Sequence, residues 1–220
     1  MSMEISVFDR QGSREDVISA PLYNLTIGLT LAWGFLANWW MVTHINPYAI
    51  LSIHPMVLFI GYFACCFGGI YIIEKSDKPW ISFLGYNLVV VPFGFVINLV
   101  VAQYQPELVA EAIRVTGLVT VGMMALSTLY PAFFARIGGA LTAALLLVII
   151  VEVVEVFVFN THHGILDWIV AAIFCGYIGY DWGRANAIPK TLDNAIDSAA
   201  ALYIDIINLF LRVLKILGRR

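Results

Sequence analysis

Seven long apolar runs, separated by brief polar connectors, take up most of this 220-residue sequence. A helix needs about 20 apolar residues to cross the hydrocarbon core of a bilayer, and each run is that long. Hydrophobic residues make up 61% of the chain and charged residues only 12%, whereas soluble domains are roughly half apolar and a quarter charged. The runs cover residues 22–42, 47–73, 80–101, 112–134, 137–159, 164–183 and 195–217.

The sequence therefore predicts an all-α polytopic membrane protein with seven transmembrane helices. A polar tail over residues 1–21 precedes one membrane domain over residues 22–220, and the length of the first apolar run favours a retained span over a cleaved signal peptide. Tryptophans near the ends of the runs support these boundaries, because indole rings prefer the headgroup region. The net charge is −3 and no basic face is present outside the tail, so we expect no nucleic-acid partner.

The basic residues of the connectors predict the orientation of the chain. With a cytoplasmic N-terminus, seven basic residues lie inside and only Arg114 lies in the outer connectors, which agrees with the positive-inside rule. The seven are Arg10, Arg14, Lys75, Lys78, Arg136, Arg184 and Lys190. The basic end of the chain, from Arg212 to Arg220, opposes this orientation because seven crossings would place it outside. Either the last helix crosses against its own charge or it re-enters and returns, and we favour crossing.

Acidic residues inside the apolar runs mark a candidate site, since an ionisable side chain within a bilayer is costly and usually has a function. Glu152 and Glu155 lie in the fifth span, Asp167 and Asp181 in the sixth, and Asp197 and Asp205 in the seventh. Their depths form a descending series, and carboxylate oxygens suit Ca²⁺ or protons. We predict that these acids, together with Asn208, line a cation or proton path. Alternatively, Asp167 and Asp181 are simply solvated at helix ends.

The seventh span carries its polar residues on one helical face. The residues of this face are Asp197, Ala201, Asp205, Asn208, Arg212 and Lys215. Steps of three or four residues keep them in line along a helix. We interpret this helix as the centre of the bundle. The alternative is an amphipathic helix that lies flat on the bilayer, but apolar residues fill the rest of its circumference.

Segments at both ends of the chain resemble a known family. Residues 177–181 read Tyr-Ile-Gly-Tyr-Asp, and residues 199–210 read Ala-Ala-Ala-Leu-Tyr-Ile-Asp-Ile-Ile-Asn-Leu-Phe, so that Asp181 and Asp205 stand 24 positions apart. Residues 23–31 of the first span read Tyr-Asn-Leu-Thr-Ile-Gly-Leu-Thr-Leu. These segments are similar to the transmembrane Bax-inhibitor-motif (Bax inhibitor-1) family, and most of all to its bacterial YccA- and YetJ-like branch.

The resemblance implies a seven-helix fold around the seventh helix and a pH-sensitive Ca²⁺ leak channel, or exchanger, of the bacterial inner membrane. Its gate and pH sensor would be Asp181 and Asp205, which share a proton or bind Ca²⁺, since two carboxylates at one site cannot both ionise cheaply. Arg184 is a candidate modulator that can pair with Asp181 from one helical turn away, and Arg212 is a second candidate. Family members often carry an acid inside the second span, and this chain has none there.

The resemblance also implies an alternative, in which the chain regulates membrane-protein quality control by binding a membrane protease such as FtsH through its polar tail. The sequence contains no nucleotide loop and no His-Glu-x-x-His motif, so we do not expect an enzyme. We expect no cofactor, with Ca²⁺ or protons as the transported or bound ions. The lipid bilayer is the expected partner, and a monomer is favoured over an oligomer.

Overall fold

Prolines mark the beginning of most helices in this chain. The computed structural model describes residues 17–159 and 164–219, and in it five helices have proline as their first residue and one has it as its second. Proline suits this place because the N–H groups of a first helical turn have no partner within the helix. The helices are α1 (Ala20–His44), α2 (Pro47–Leu51), α3 (Pro55–Lys75), α4 (Pro79–Val101), α5 (Pro106–Leu129), α6 (Pro131–Val154), α7 (Gly164–Ala187) and α8 (Leu192–Gly218), with a π-helical turn, Glu155–Phe159, directly after α6.

Two predicted boundaries are wrong, and in each case a proline explains the difference. The run over residues 47–73 is divided into α2 and α3, and Pro55 begins the second piece. The break between the fourth and fifth spans falls at Pro131, whereas the predicted connector at residues 135–136 lies inside α6. Proline has no N–H with which to continue the preceding helix. Apolar residues on both sides of Pro131 hide this break from any hydropathy average.

Within the part of the chain that the structure describes, six helices are long and apolar enough to cross a membrane, namely α1, α3, α4, α5, α6 and α7. They confirm the prediction of a multi-pass membrane protein. α8 has 27 residues, but it is not among the six because it contains several charged residues. These are Asp193, Asp197, Asp205, Arg212 and Lys215. From Asp193 to Leu217, every residue of α8 is nevertheless buried or half-buried.

The chain divides into two compact units, which are described separately. The first comprises Met1–Gln103 with Ala185–Tyr203, and the second comprises Tyr104–Arg184 with Ile204–Arg220. α8 therefore begins in the first unit and ends in the second. Most of the predicted polar tail, residues 1–16, lies outside the described residues, as does Arg220.

In the first unit, buried polar groups join α4 to α1 and to the beginning of α8. Tyr86 Oη on α4 donates a hydrogen bond to Thr30 O on α1 at 2.9 Å. Ser82 Oγ on α4 donates to Asp193 Oδ1 on α8 at 2.7 Å. Buried polar groups need such partners, and these two contacts therefore hold α4 against both helices.

In the second unit, α7 packs between hydroxyl groups from two other helices. Ser127 Oγ on α5 donates to Gly179 O on α7 at 2.5 Å. Tyr177 Oη on α7 donates to Thr142 Oγ1 on α6 at 3.1 Å. Hydrogen bonds of this kind hold specific helices together in lipid. They matter there because burial of apolar surface hardly favours helix association.

α3 and α4 approach each other through two facing glycines of the first unit. A Cβ atom at Gly69 would lie 2.5 Å from Gly85 O, and one at Gly85 would lie 2.7 Å from Gly69 O. Two helix backbones reach this separation only where neither contact residue has a side chain. The small residues thus determine how closely α3 and α4 pack.

We predict that Gly69→Ala lowers the free energy of unfolding by about 1–3 kcal/mol, because the added methyl group forces the backbones of α3 and α4 apart. The neighbouring Gly68→Ala is the matched control, since a Cβ atom there meets nothing within 4 Å. It should leave stability unchanged or slightly raised, as alanine favours a helix over glycine. Thermal unfolding of the two variants in detergent measures the difference, and equal melting temperatures would contradict the close packing at Gly69.

Candidate functional site

Two polar contacts join α7 to the final part of α8, and they are spaced identically along both helices. The Asp181 and Asp205 carboxyl groups are close enough to share a hydrogen bond, and Arg219 Nη2, directly after the last residue of α8, lies 2.8 Å from Asp167 Oδ2. Asp167 precedes Asp181 by fourteen positions, and Arg219 follows Asp205 by fourteen positions. The two helices therefore run antiparallel with one register, and the contacts are about 21 Å apart at 1.5 Å per residue.

The first contact is a pair of carboxyl groups that lie next to each other, one on α7 and one on α8. Asp205 is only 5% exposed, and Asp181 is half-buried. Asp205 Oδ2 receives no hydrogen bond from any N–H or O–H donor of the described residues. A bond between two carboxyl groups requires a proton on one of them, because two carboxylates in contact repel each other. The pair can therefore hold one proton between α7 and α8.

Tyr177 and Arg184 lie on α7, one helical turn on either side of Asp181. Tyr177 is close enough to interact electrostatically with both aspartates, and its hydroxyl is held by Thr142 on α6. Arg184 interacts electrostatically with Asp181. The Arg184 guanidinium also donates to Tyr180 Oη at 3.0 Å and lies over the Tyr180 ring, 5.1 Å from its centroid. The carboxyl pair thus has a positive charge and a phenol hydroxyl in its immediate surroundings.

The second contact belongs to a larger cluster of charges on α6, α7 and α8, which we term the arginine cluster: Glu152, Asp167, Arg212 and Arg219. Arg212 Nη1 donates to Glu152 Oε1 at 2.5 Å and to Asp167 Oδ1 at 2.7 Å, and Arg212 Nη2 donates to Glu152 Oε2 at 2.9 Å. Asp167 is fully buried, and both of its oxygens contact guanidinium groups. Two carboxylates and two guanidinium groups balance in charge, which reduces the cost of burying them.

A glycine makes room for the arginine cluster at the first residue of α7. A Cβ atom at Gly164 would overlap the Arg219 guanidinium. Lys215, one turn after Arg212 on α8, adds a further positive charge that interacts with Asp167 and Glu152. The bidentate, charge-assisted hydrogen bonds between Arg212 and Glu152 are of a kind that is among the strongest in proteins.

The predicted site residues are thus not gathered in a single place. Asp181 and Asp205 meet in the carboxyl pair, whereas Glu152 and Asp167, predicted to line an ion path, contact arginines. Asp197 lies in the first unit and is buried, and Glu155 begins the π-helical turn after α6. Asn208 Nδ2 donates to Ile204 O at 2.8 Å, one turn before it on α8. Arg212, predicted as a modulator of the aspartates, bonds to Glu152 and Asp167.

Arg219 was not predicted as a site residue, although the sequence contains a signal for it. The fourteen-residue spacing from Asp167 to Asp181 is repeated from Asp205 to Arg219. Fourteen residues are nearly four helical turns, so Asp167 and Asp181 lie on one face of α7, and Arg219, directly after the last residue of α8, continues the line of Asp205. Once Asp181 and Asp205 are placed together, antiparallel helices bring Asp167 opposite Arg219.

Comparison with known proteins gives matches over most of the chain. The family model described as "Inhibitor of apoptosis-promoting Bax1" matches residues 16–220. An uncharacterized membrane protein of Vibrio cholerae is 32% identical over 114 residues, which are 51% of this chain and 50% of that protein. Protein LIFEGUARD 3 of Arabidopsis thaliana is 30% identical over 151 residues, 64% of this chain and 58% of that protein.

A third relative, Bax inhibitor 1 of Schizosaccharomyces pombe, is 27% identical over 173 residues, which are 76% of this chain and 64% of that protein. The matched regions therefore cover between half and just under two thirds of the length of these three relatives. The match to the family model includes both aspartates of the carboxyl pair and all four residues of the arginine cluster.

We predict that Arg212→Gln lowers the free energy of unfolding by about 3–5 kcal/mol, because it leaves Glu152 without its partner in a largely buried place. The matched control is Arg114→Gln on α5, which breaks an exposed bridge of 3.2 Å to Glu111. An exposed ion pair contributes little, so the control should change stability by about 0.5 kcal/mol or less. Unfolding in detergent compares the two variants, and a similar small loss from both would argue against a stabilising arginine cluster.

Proposed function

This chain is a member of the Bax inhibitor-1 family, and we propose that it forms a pH-sensitive Ca²⁺ leak channel, or cation exchanger, of a bacterial inner membrane. Asp181 and Asp205 are the proposed gate. The observation that carries this proposal is the close approach of the two carboxyl groups, one from α7 and one from a buried position on α8.

In the proposed membrane arrangement, the N-terminus is cytoplasmic and α8 crosses the bilayer as the seventh span. The burial of α8 from Asp193 to Leu217 supports a helix surrounded by protein and not one that lies on the membrane surface. The arginine cluster supports the same orientation. Arg212 and Arg219 are held by Glu152 and Asp167, so they do not count as free loop charges under the positive-inside rule.

The proposed gate depends on the number of protons that the pair holds. With one proton between them, Asp181 and Asp205 hold α7 against α8. When that proton is lost, two negative charges in contact repel each other, and the contact opens. Ca²⁺ can take the place of the proton because it prefers carboxylate oxygens as ligands. Arg184, beside Asp181, favours the ionised carboxylate and therefore adjusts the pH at which the contact opens.

Ca²⁺ is cargo in this proposal, and neither a cofactor nor an enzymatic step is part of it. The proposed partners are the lipid bilayer and the transported ion, with the monomer as the working form. Regulation of a membrane protease would require a contact with another protein, and it remains the alternative if purified protein moves no Ca²⁺.

We predict that Asp205→Asn in proteoliposomes gives low Ca²⁺ influx at every pH, because an asparagine amide donates a hydrogen bond to the Asp181 carboxylate without any proton exchange. Asp205→Ala should give high influx at every pH, since alanine makes no bond across the contact. Wild-type influx should rise with pH as the pair loses its proton. A fluorescent Ca²⁺ indicator inside the vesicles measures all three profiles.

Glu107→Gln is the control for loss of a carboxyl group elsewhere, since Glu107 lies exposed in the first turn of α5. It should keep the wild-type pH profile. Retention of the wild-type pH profile by both Asp205 variants would eliminate the carboxyl pair as the gate. An absence of influx in wild-type vesicles at any pH would eliminate the leak itself and favour the regulatory alternative.

A further inference from the structure

The buried face of α5 carries hydroxyl groups, whereas its large apolar residues lie on the exposed faces. Four residues of α5 are buried, and none of them is a large apolar residue: Ala112, Thr116, Thr120 and Ser127. The steps from Thr116 to Thr120 and from Thr120 to Ser127 are four and seven residues, which keep the three hydroxyl groups on one face. Large apolar residues, among them Leu118 and Val121, are exposed instead. This is the opposite of the pattern in a water-soluble helix, in which the polar face is outside.

Two of these hydroxyl groups are buried without a hydrogen-bond partner among the described residues. Thr116 is 3% exposed and Thr120 is 8% exposed, and Oγ1 of each lacks a partner. Burying an unpartnered hydroxyl is costly, so a buried polar group without a protein partner is commonly bonded to water.

Several other threonines among the described residues satisfy their hydroxyl groups within their own helix. The Thr26 hydroxyl donates to Leu22 O at 2.9 Å, and the Thr142 hydroxyl donates to Gly138 O at 3.1 Å. Each acceptor is the carbonyl four residues earlier, which is the usual partner of a threonine in a membrane helix. The Thr116 and Thr120 hydroxyls do not make this bond, which leaves both free to bond to a ligand within the second unit.

The third hydroxyl of the face shows where the other two lie relative to the carboxyl pair. Ser127 bonds to Gly179 O, two residues before Asp181 on α7. At 1.5 Å per residue, Thr120 and Thr116 are about 10 Å and 16 Å from Ser127 along α5. α6 is antiparallel to α7, since Phe134 lies against Gly179 near one end and Glu152 lies close to Asp167 near the other. α5 ends one residue before α6 begins, and such a short connection is typical of antiparallel neighbours, so α5 runs in the direction of α7. Thr120 and Thr116 therefore lie at levels between Asp181 and Asp167.

We propose that Thr116, Thr120 and Ser127 line a water-filled section of the ion route, between the level of the carboxyl pair and that of the arginine cluster. This inference rests on the proposed function for the identity of the ion, but the hydration that it assigns to α5 is independent of any transport. Water bonded to the two free threonine hydroxyls hydrates a cation that leaves Asp181 and Asp205. The neutral hydroxyl face allows a cation to pass without holding it.

Cysteine labelling tests the hydration directly. Thr116→Cys and Thr120→Cys are introduced one at a time into a chain whose Cys65, Cys66 and Cys175 have been replaced by alanine. A small charged methanethiosulfonate reagent reacts with thiolates, which form in water and not in a dry interior. We expect both cysteines to be modified in membranes, although the native threonines are more than nine-tenths buried.

The matched controls are Leu118→Cys and Val121→Cys, which lie on the lipid-facing side of the same helix. They should react at least roughly tenfold more slowly, because their thiols lie in hydrocarbon. Thr116→Cys and Thr120→Cys reacting no faster than these controls would overturn the proposal.

A second variant keeps the test decisive if a cysteine variant fails to fold. The double variant Thr116→Val with Thr120→Val preserves side-chain shape and removes both hydroxyl groups. If the face is hydrated, its melting temperature should be equal to that of the wild type or lower. A higher melting temperature would contradict the proposal, because it would mean that two unpartnered hydroxyls had been buried in a dry interior.

Measurements of Ca²⁺ influx, combined with the labelling, distinguish a failure of this inference from a failure of the proposed function. The double valine variant should reduce influx roughly tenfold, through loss of hydrogen bonds to the water of the route, and leave the pH profile unchanged. Thr26→Val, whose hydroxyl bonds to its own helix, should have no effect. Labelling without any wild-type influx would support the hydrated face and eliminate the leak. Influx without labelling would support the leak and eliminate the hydrated face.

Discussion

The antiparallel register between α7 and the final part of α8 determines where the charged groups of the second unit meet. A charge in a bilayer needs a partner inside the protein, and a register error of a single residue would move every polar side chain of α8 away from its partner on α7. Two polar contacts, one at each end of the α7–α8 interface, are consistent with a single register. Asp181 meets Asp205 at one end, and Asp167 meets Arg219 at the other.

The same register explains how the basic C-terminal segment can lie on the outer side of the membrane. A basic C-terminal segment on the outer side would oppose the orientation that the other connectors favour. In the folded chain, however, Arg212 bonds to Glu152 and Asp167, and Arg219 bonds to Asp167. Charges neutralised by neighbouring helices act within the protein and not as free loop charges. The acids of α6 and α7 therefore permit a basic end on α8.

Hydropathy predicted most of the helices of the fold, whereas the candidate site came from ionisable residues inside the apolar runs and from the motif resemblance. Apolar runs identify helices because lipid contact requires them, and the motif resemblance placed Asp181 with Asp205. The break at Pro131 was missed because residues on both sides are equally apolar. The arginine partners were missed because periodicity shows which residues share a face but not which helix that face meets. The free hydroxyls of Thr116 and Thr120 required knowledge of their buried surroundings, since most threonines of membrane helices bond to their own backbone.

The two ends of the α7–α8 contact differ in their chemistry, and this difference bears on how a gate could work. A carboxyl pair depends on a bound proton, whereas a guanidinium–carboxylate contact persists over the whole physiological range, because arginine stays protonated. In the proposed gate, a rise in pH would therefore weaken the contact between the carboxyl groups and leave the arginine contact intact. With Arg219 and Arg212 holding one end of this segment of α8, release at Asp205 would displace that segment about a fixed point without detaching it. Such a contact can open and close repeatedly, because the register is kept at the end that does not open.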